Sequence, residues 1–97
     1  MSRAGIERKL RSVSSEMRKA TDELRVLDEQ LAHFADSADD ARLRSMVSET
    51  PLAAQEYREA AKTVAALRRD RDHWTQRLDE LETRQNELLD QLLEASS

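Results

Sequence analysis

The sequence predicts an all-α fold, an antiparallel helical hairpin of coiled-coil type with a short helix at the turn and room to pair into a four-helix bundle. Two heptad seams carry this reading. From Ile6 the apolar residues alternate in steps of four and three through Leu10, Val13, Met17, Ala20, Leu24, Leu27, Leu31 and Phe34. A second series runs Ala53, Tyr57, Ala60, Val64, Leu67, Arg71, Trp74, Leu78, Leu81, Gln85, Leu88, Leu92. Such spacing puts one stripe on each helix, and a stripe is stable only when buried against another. The middle, acidic and closed by Pro51, is the place for the chain to reverse.

The charges assign the direction. Residues 1–25 carry seven basic and four acidic side chains, 26–60 three and eight, 61–72 four and two, and 73–97 two and six. Folding back antiparallel sets the basic start beside the acidic end. It also brings Lys62, Arg68, Arg69 and Arg71 near Asp22, Glu23, Asp28 and Glu29. Each exposed pair contributes only ~0.2–1 kcal/mol, so the blocks specify orientation more than stability.

In chain order, the first helix is expected over about 4–35. Asp36-Ser37-Ala38-Asp39-Asp40 should break it, because Asp and Ser side chains compete for backbone hydrogen bonds. Ser37 then serves as N-cap of a short helix over about 38–47 that buries Leu43, Met46 and Val47, with the aspartates in its first turn. A second arrangement carries the first helix straight on, since Ala38 and Ala41 keep the heptad phase after Phe34. Thr50-Pro51 starts the last helix, over about 51–93. Proline disfavours helix in the residue before it and suits the first helical position after a Thr cap. The whole of 1–97 is read as one domain.

Composition narrows the function. With 38% hydrophobic residues, three aromatic residues, one Gly and one Pro among 97, the chain is nearly all helix and its seam is thin. Association with a second copy is one remedy. Cysteine is absent, which excludes disulfides and cysteine-ligated zinc. No apolar run approaches the ~18 residues of a membrane span, and no signal h-region is evident. These features predict a cytoplasmic protein that does not enter a membrane. A net charge of −4 argues against direct nucleic-acid binding.

No phosphate loop, nucleophile elbow or paired-His motif is present, so no catalytic, cofactor or metal site is expected. His33 and His73 are isolated and read as solvent-facing. Phe34, Tyr57 and Trp74 occupy seam positions and read as packing. Arg71 and Gln85 interrupt the second seam, where a buried polar side chain fixes register or oligomeric state. A buried Arg71 lining an anion pocket, as in a small mutase-like helical enzyme, is the sharper alternative. The carboxylates Asp36, Asp39 and Asp40, with Glu49, are the candidate docking tip; dipole complementation at a helix start is the plainer explanation of the three aspartates.

Asp36-Ser37-Ala38-Asp39-Asp40-Ala41 follows the pattern Asp-x-x-Asp-x-Ala and resembles the coiled-coil tip of the DksA family of RNA polymerase regulators. Glu56-Tyr57 with Ala60-Ala61-Lys62, and later Arg77-Leu78-Asp79-Glu80-Leu81-Glu82, is similar to the hairpin of Gre-type transcript cleavage factors. Both families insert a hairpin into the polymerase secondary channel, with an acidic tip near the catalytic magnesium. The resemblance implies a transcription modulator that docks on RNA polymerase, with Asp36 and Asp39 at its tip and Ala41 in the packing beneath. The alternative is a structural or adaptor coiled coil that self-associates, or binds a partner protein, through its helix flanks.

Overall fold

A computed structural model describes residues 2–97. Two helices account for nearly all of them, α1 over Arg3–Ser48 and α2 over Pro51–Ala95, in a helical hairpin. Ser2 caps α1, its Oγ accepting the Gly5 N–H at 3.2 Å. Thr50 caps α2 in the same way, accepting the Ala53 N–H at 3.2 Å, and Pro51 takes the first helical position where its missing N–H costs nothing.

The chain forms two compact units. The first, Met1–Leu24 with His73–Ser97, holds the thicker core. Ile6, Val13 and Ala20 of α1 are buried there with Leu81 and Leu88 of α2, and Leu10, Met17, Trp74, Leu78 and Leu92 pack around them. Ile6 and Leu88 are almost wholly enclosed. Arg77 pairs with Glu16 across the helices at 3.4 Å, and Lys19 Nζ stands 5.9 Å from the centre of the Trp74 ring, a cation–π contact. The start of α1 therefore lies against the end of α2, the antiparallel arrangement that the charge blocks favour, although Arg77–Glu16 pairs a base of the acidic end with an acid of the basic start.

The second unit, Arg25–Asp72, has a leaner seam. Its buried residues are Leu27, Ala41, Ala53 and Val64, with Leu31, Ala35, Ala38, Tyr57, Ala60, Ala61 and Leu67 half-buried. On α1 the buried positions 6, 13, 20, 27 and 41 repeat every seven residues. The one gap in that series is Phe34, 38% exposed and edge-on to the His33 ring.

Three sequence expectations are corrected. The chain does not break at 35–40, and no separate helix covers 38–47: α1 continues to Ser48. Ser37 does not cap; its hydroxyl donates to the His33 carbonyl at 3.2 Å, inside the helix, as Thr21, Thr63 and Thr83 do one turn back on their own strands of helix. With its hydroxyl satisfied this way, Ser37 costs a helix only a few tenths of a kcal/mol, too little to interrupt a seam that stays in phase through Ala38 and Ala41. Secondly, Leu43, Met46 and Val47 are not buried but 52%, 62% and 84% exposed. A continuous α1 puts them between seam positions, on the side turned from α2. Thirdly, Arg71 is not a core residue. It is exposed, its Nε donating to Asp28 Oδ1, while Gln85 is half-buried; among the described residues no polar or charged side chain is fully buried.

Among the described residues no helix is long and apolar enough to cross a membrane.

Candidate functional site

The turn between the helices is only two residues long, Glu49 and Thr50. Glu49 turns the chain by adopting φ 50°, the left-handed region that glycine normally fills after a helix, and its N–H still reaches the Ser45 carbonyl at 3.2 Å. The Thr50 side chain and carbonyl then engage Ala53 and Ala54, so α2 begins without slack. An exposed glutamate thereby stands at the point of reversal.

Around it stand four large apolar side chains. Leu43, Met46 and Val47 project from the last turns of α1, and Leu52, 65% exposed, from the first turn of α2. Arg42 reaches along the helix to the Met46 sulfur at 3.8 Å. Met is flexible and polarisable, and such residues suit adaptable protein contacts. Isolated exposed apolar residues are ordinary; four grouped at one turn are not.

Of the acidic residues singled out from sequence, only Glu49 is at the turn. Asp36, Asp39 and Asp40 are exposed on α1, eight to twelve residues before its end at Ser48, or roughly 12–18 Å back along the axis. Among the described residues none of the three makes a salt bridge. They lie in line with Leu43, Met46 and Val47, at spacings of three and four, so one outward stripe of α1 reads Asp36, Asp39, Asp40, Leu43, Met46, Val47. Ala41 lies beneath it, 4% exposed in the seam. The acidic half of this stripe is among the residues the sequence singles out, whereas the apolar half is expected in a core and stands exposed instead. The signal was available in the phase: extending the first seam past Phe34 leaves 43, 46 and 47 off it.

Along one side of the seam runs an open groove. Asp28, Leu31, Ala32, Ala35, Arg68, Arg71 and Asp72 line one stretch of about 450 Å³; Ala35 and Arg68 continue into a second of about 230 Å³ with Ala38, Asp39, Tyr57, Ala61 and Val64. Asp28 holds Arg71 at its edge. Their hydrogen bond, then their charge attraction, raises the Arg71 pKa above its ordinary value. A guanidinium so engaged and so exposed does not form an enclosed anion pocket. Among the described residues no three His, Asp or Glu side chains converge as metal ligands.

The fold and turn thus define a class, a helical hairpin presenting an apolar and acidic outer stripe. No family model matches this chain, and no curated protein or solved structure matches it.

Proposed function

We propose that this chain is a non-enzymatic protein–protein interaction module that docks through the turn end of its second unit. The observation that carries the reading is the exposure of Leu43, Met46, Val47 and Leu52 around a two-residue turn. The three on α1 face away from α2, so the hairpin gains nothing from their being apolar. A partner groove does gain. Spacing of i, i+3 and i+4 is how a helix seats anchors in a hydrophobic groove, and Asp36, Asp39 and Asp40 on the same stripe favour a groove with a basic border.

The most concrete partner is RNA polymerase, which would make the chain a transcription modulator. What supports that version is Glu49 at the point of reversal; residues 36–41, whose pattern resembles the DksA-type tip, stand behind it on α1 and not at the tip itself. In it Glu49 leads into the channel and the three aspartates meet the channel wall behind it. Catalysis is not part of this reading.

Titrating purified RNA polymerase core enzyme with this protein tests it. Wild type should bind, and the Leu43→Gln/Met46→Gln/Val47→Gln variant, polar at three exposed positions and built from a good helix former, should keep its helicity and bind about thirtyfold more weakly, the ~2 kcal/mol of a hot-spot cluster. Absence of binding by wild type sinks the polymerase version. Equal binding by wild type and variant moves the contact off the turn end and favours the helix-flank adaptor.

A further inference from the structure

The groove beside the seam of the second unit is a surface without an occupant. Its walls are Leu31, Ala32, Ala35 and Ala38 of α1 against Tyr57, Ala61 and Val64 of α2, and the four alanines among them leave room for a further helix to approach. We infer that a second copy of this chain packs there, related by a two-fold axis, so that the two hairpins share a four-helix core along residues 28–39 and 57–72. The inference concerns a groove that meets the outward stripe only at Asp39, and it does not depend on polymerase binding.

Two observations name the occupant. One is area. The chain exposes 7009 Å², whereas a folded monomer of its 11.2 kDa exposes roughly 5,700 Å² by the usual scaling of surface with mass. The excess, roughly 1,300 Å² over the whole chain, leaves enough surface for the ~800 Å² each partner contributes to a standard interface. The other is the sign of the rim. An isologous contact places one patch against itself, so the patch must carry both halves of every polar pairing. This rim does so: Asp28, Asp39 and Asp72 stand along the same groove as Arg68 and Arg71. Asp28 already holds Arg71 within the chain, which leaves Asp39 and Asp72 to meet Arg68 of the second copy. A uniformly basic or acidic partner would find half of this rim repulsive.

Solution mass measured by light scattering and sedimentation over rising concentration reads the prediction directly. Wild type should reach twice the 11.2 kDa of one chain. Ala32→Glu sets a carboxylate on the groove wall at an exposed helix position, and should hold the single-chain mass with unchanged helicity. Because the chain has no cysteine, the Ala61→Cys variant offers one thiol, and a short bismaleimide should link two copies through it. Wild type that remains at single-chain mass up to ~1 mM, where association weaker than about −4.1 kcal/mol sets in, overturns the inference whatever else the protein binds. So does a dimer that Ala32→Glu leaves intact, or one that links readily through Leu52→Cys and not through Ala61→Cys, since each puts the contact elsewhere.

Discussion

Glu49 holds a conformation that its own side chain disfavours. A residue with a Cβ loses about 1–2 kcal/mol in the left-handed region relative to the right-handed one, which is why glycine dominates the position after a helix. Glu49→Gly should therefore raise stability by about 0.5–1 kcal/mol in urea unfolding, part of the relief being offset by the entropy glycine loses on folding. The aspartates carry a similar cost. Asp36 faces both Asp39 and Asp40 at helical spacing, each like-charge pair costing ~0.2–0.5 kcal/mol, and Asp is a weaker helix former than Ala. Asp36→Ala/Asp39→Ala/Asp40→Ala should consequently be more stable by roughly 1–2 kcal/mol, visible as a higher melting temperature. Variants that gain stability while losing partner binding would separate docking from folding at these four residues. Arg71 behaves differently. Its pKa is raised by Asp28, so its share of stability is complete below the ordinary arginine value and is lost only as pH climbs through the raised one, in strong alkali. Titration of Arg71 therefore contributes no change in stability anywhere near neutral pH.

At the scale of elements the two units differ in what their seams bury. Unit one encloses Ile6, Val13, Leu81 and Leu88, whereas unit two relies on Ala41, Ala53, Val64 and Leu27. Leu88→Ala should cost about 2–4 kcal/mol, since the side chain is fully enclosed and leaves a cavity. Leu52→Ala, at the turn, should change stability by no more than ~0.5 kcal/mol in the same denaturation assay. The seams, the antiparallel direction and the Thr50-Pro51 start were legible because each follows from spacing, charge blocks or a side chain with one strong preference. The continuity of α1 was harder to read. Asp36, Ser37, Asp39 and Asp40 each weaken a helix slightly, and local preference cannot tell whether a seam in phase on both sides will override them. The exposure of Leu43, Met46 and Val47 was illegible for a related reason. Hydrophobicity says that a side chain seeks burial, but not whether the burial is against its own chain or another.

For the whole molecule, the same difference between seams makes association measurable site by site. The leaner seam of residues 25–72 should open locally at lower free energy than the core formed by residues 1–24 and 73–97, so its amides should exchange with solvent faster. A second copy in the groove binds the closed form of unit two and not the opened one. Linkage then adds RT ln(1 + [L]/Kd) to the opening free energy, ~2.7 kcal/mol at a hundredfold excess over Kd, or about a hundredfold slower exchange. Amides of α1 around Ala32 to Ala38 and of α2 around Ala61 to Arg68 should accordingly slow as protein concentration rises through the dimerisation range. Amides near Ile6 and Leu88 that exchange by local opening of unit one should keep their rates, because nothing in the proposed contact distinguishes open from closed there. Hydrogen exchange by mass spectrometry at two concentrations reads both sets in one experiment, and slowing confined to unit one would locate self-association at the other core. The Ala32→Glu variant supplies the baseline: its unit two should exchange at the dilute wild-type rate at every concentration, since the groove it carries no longer accepts a second copy.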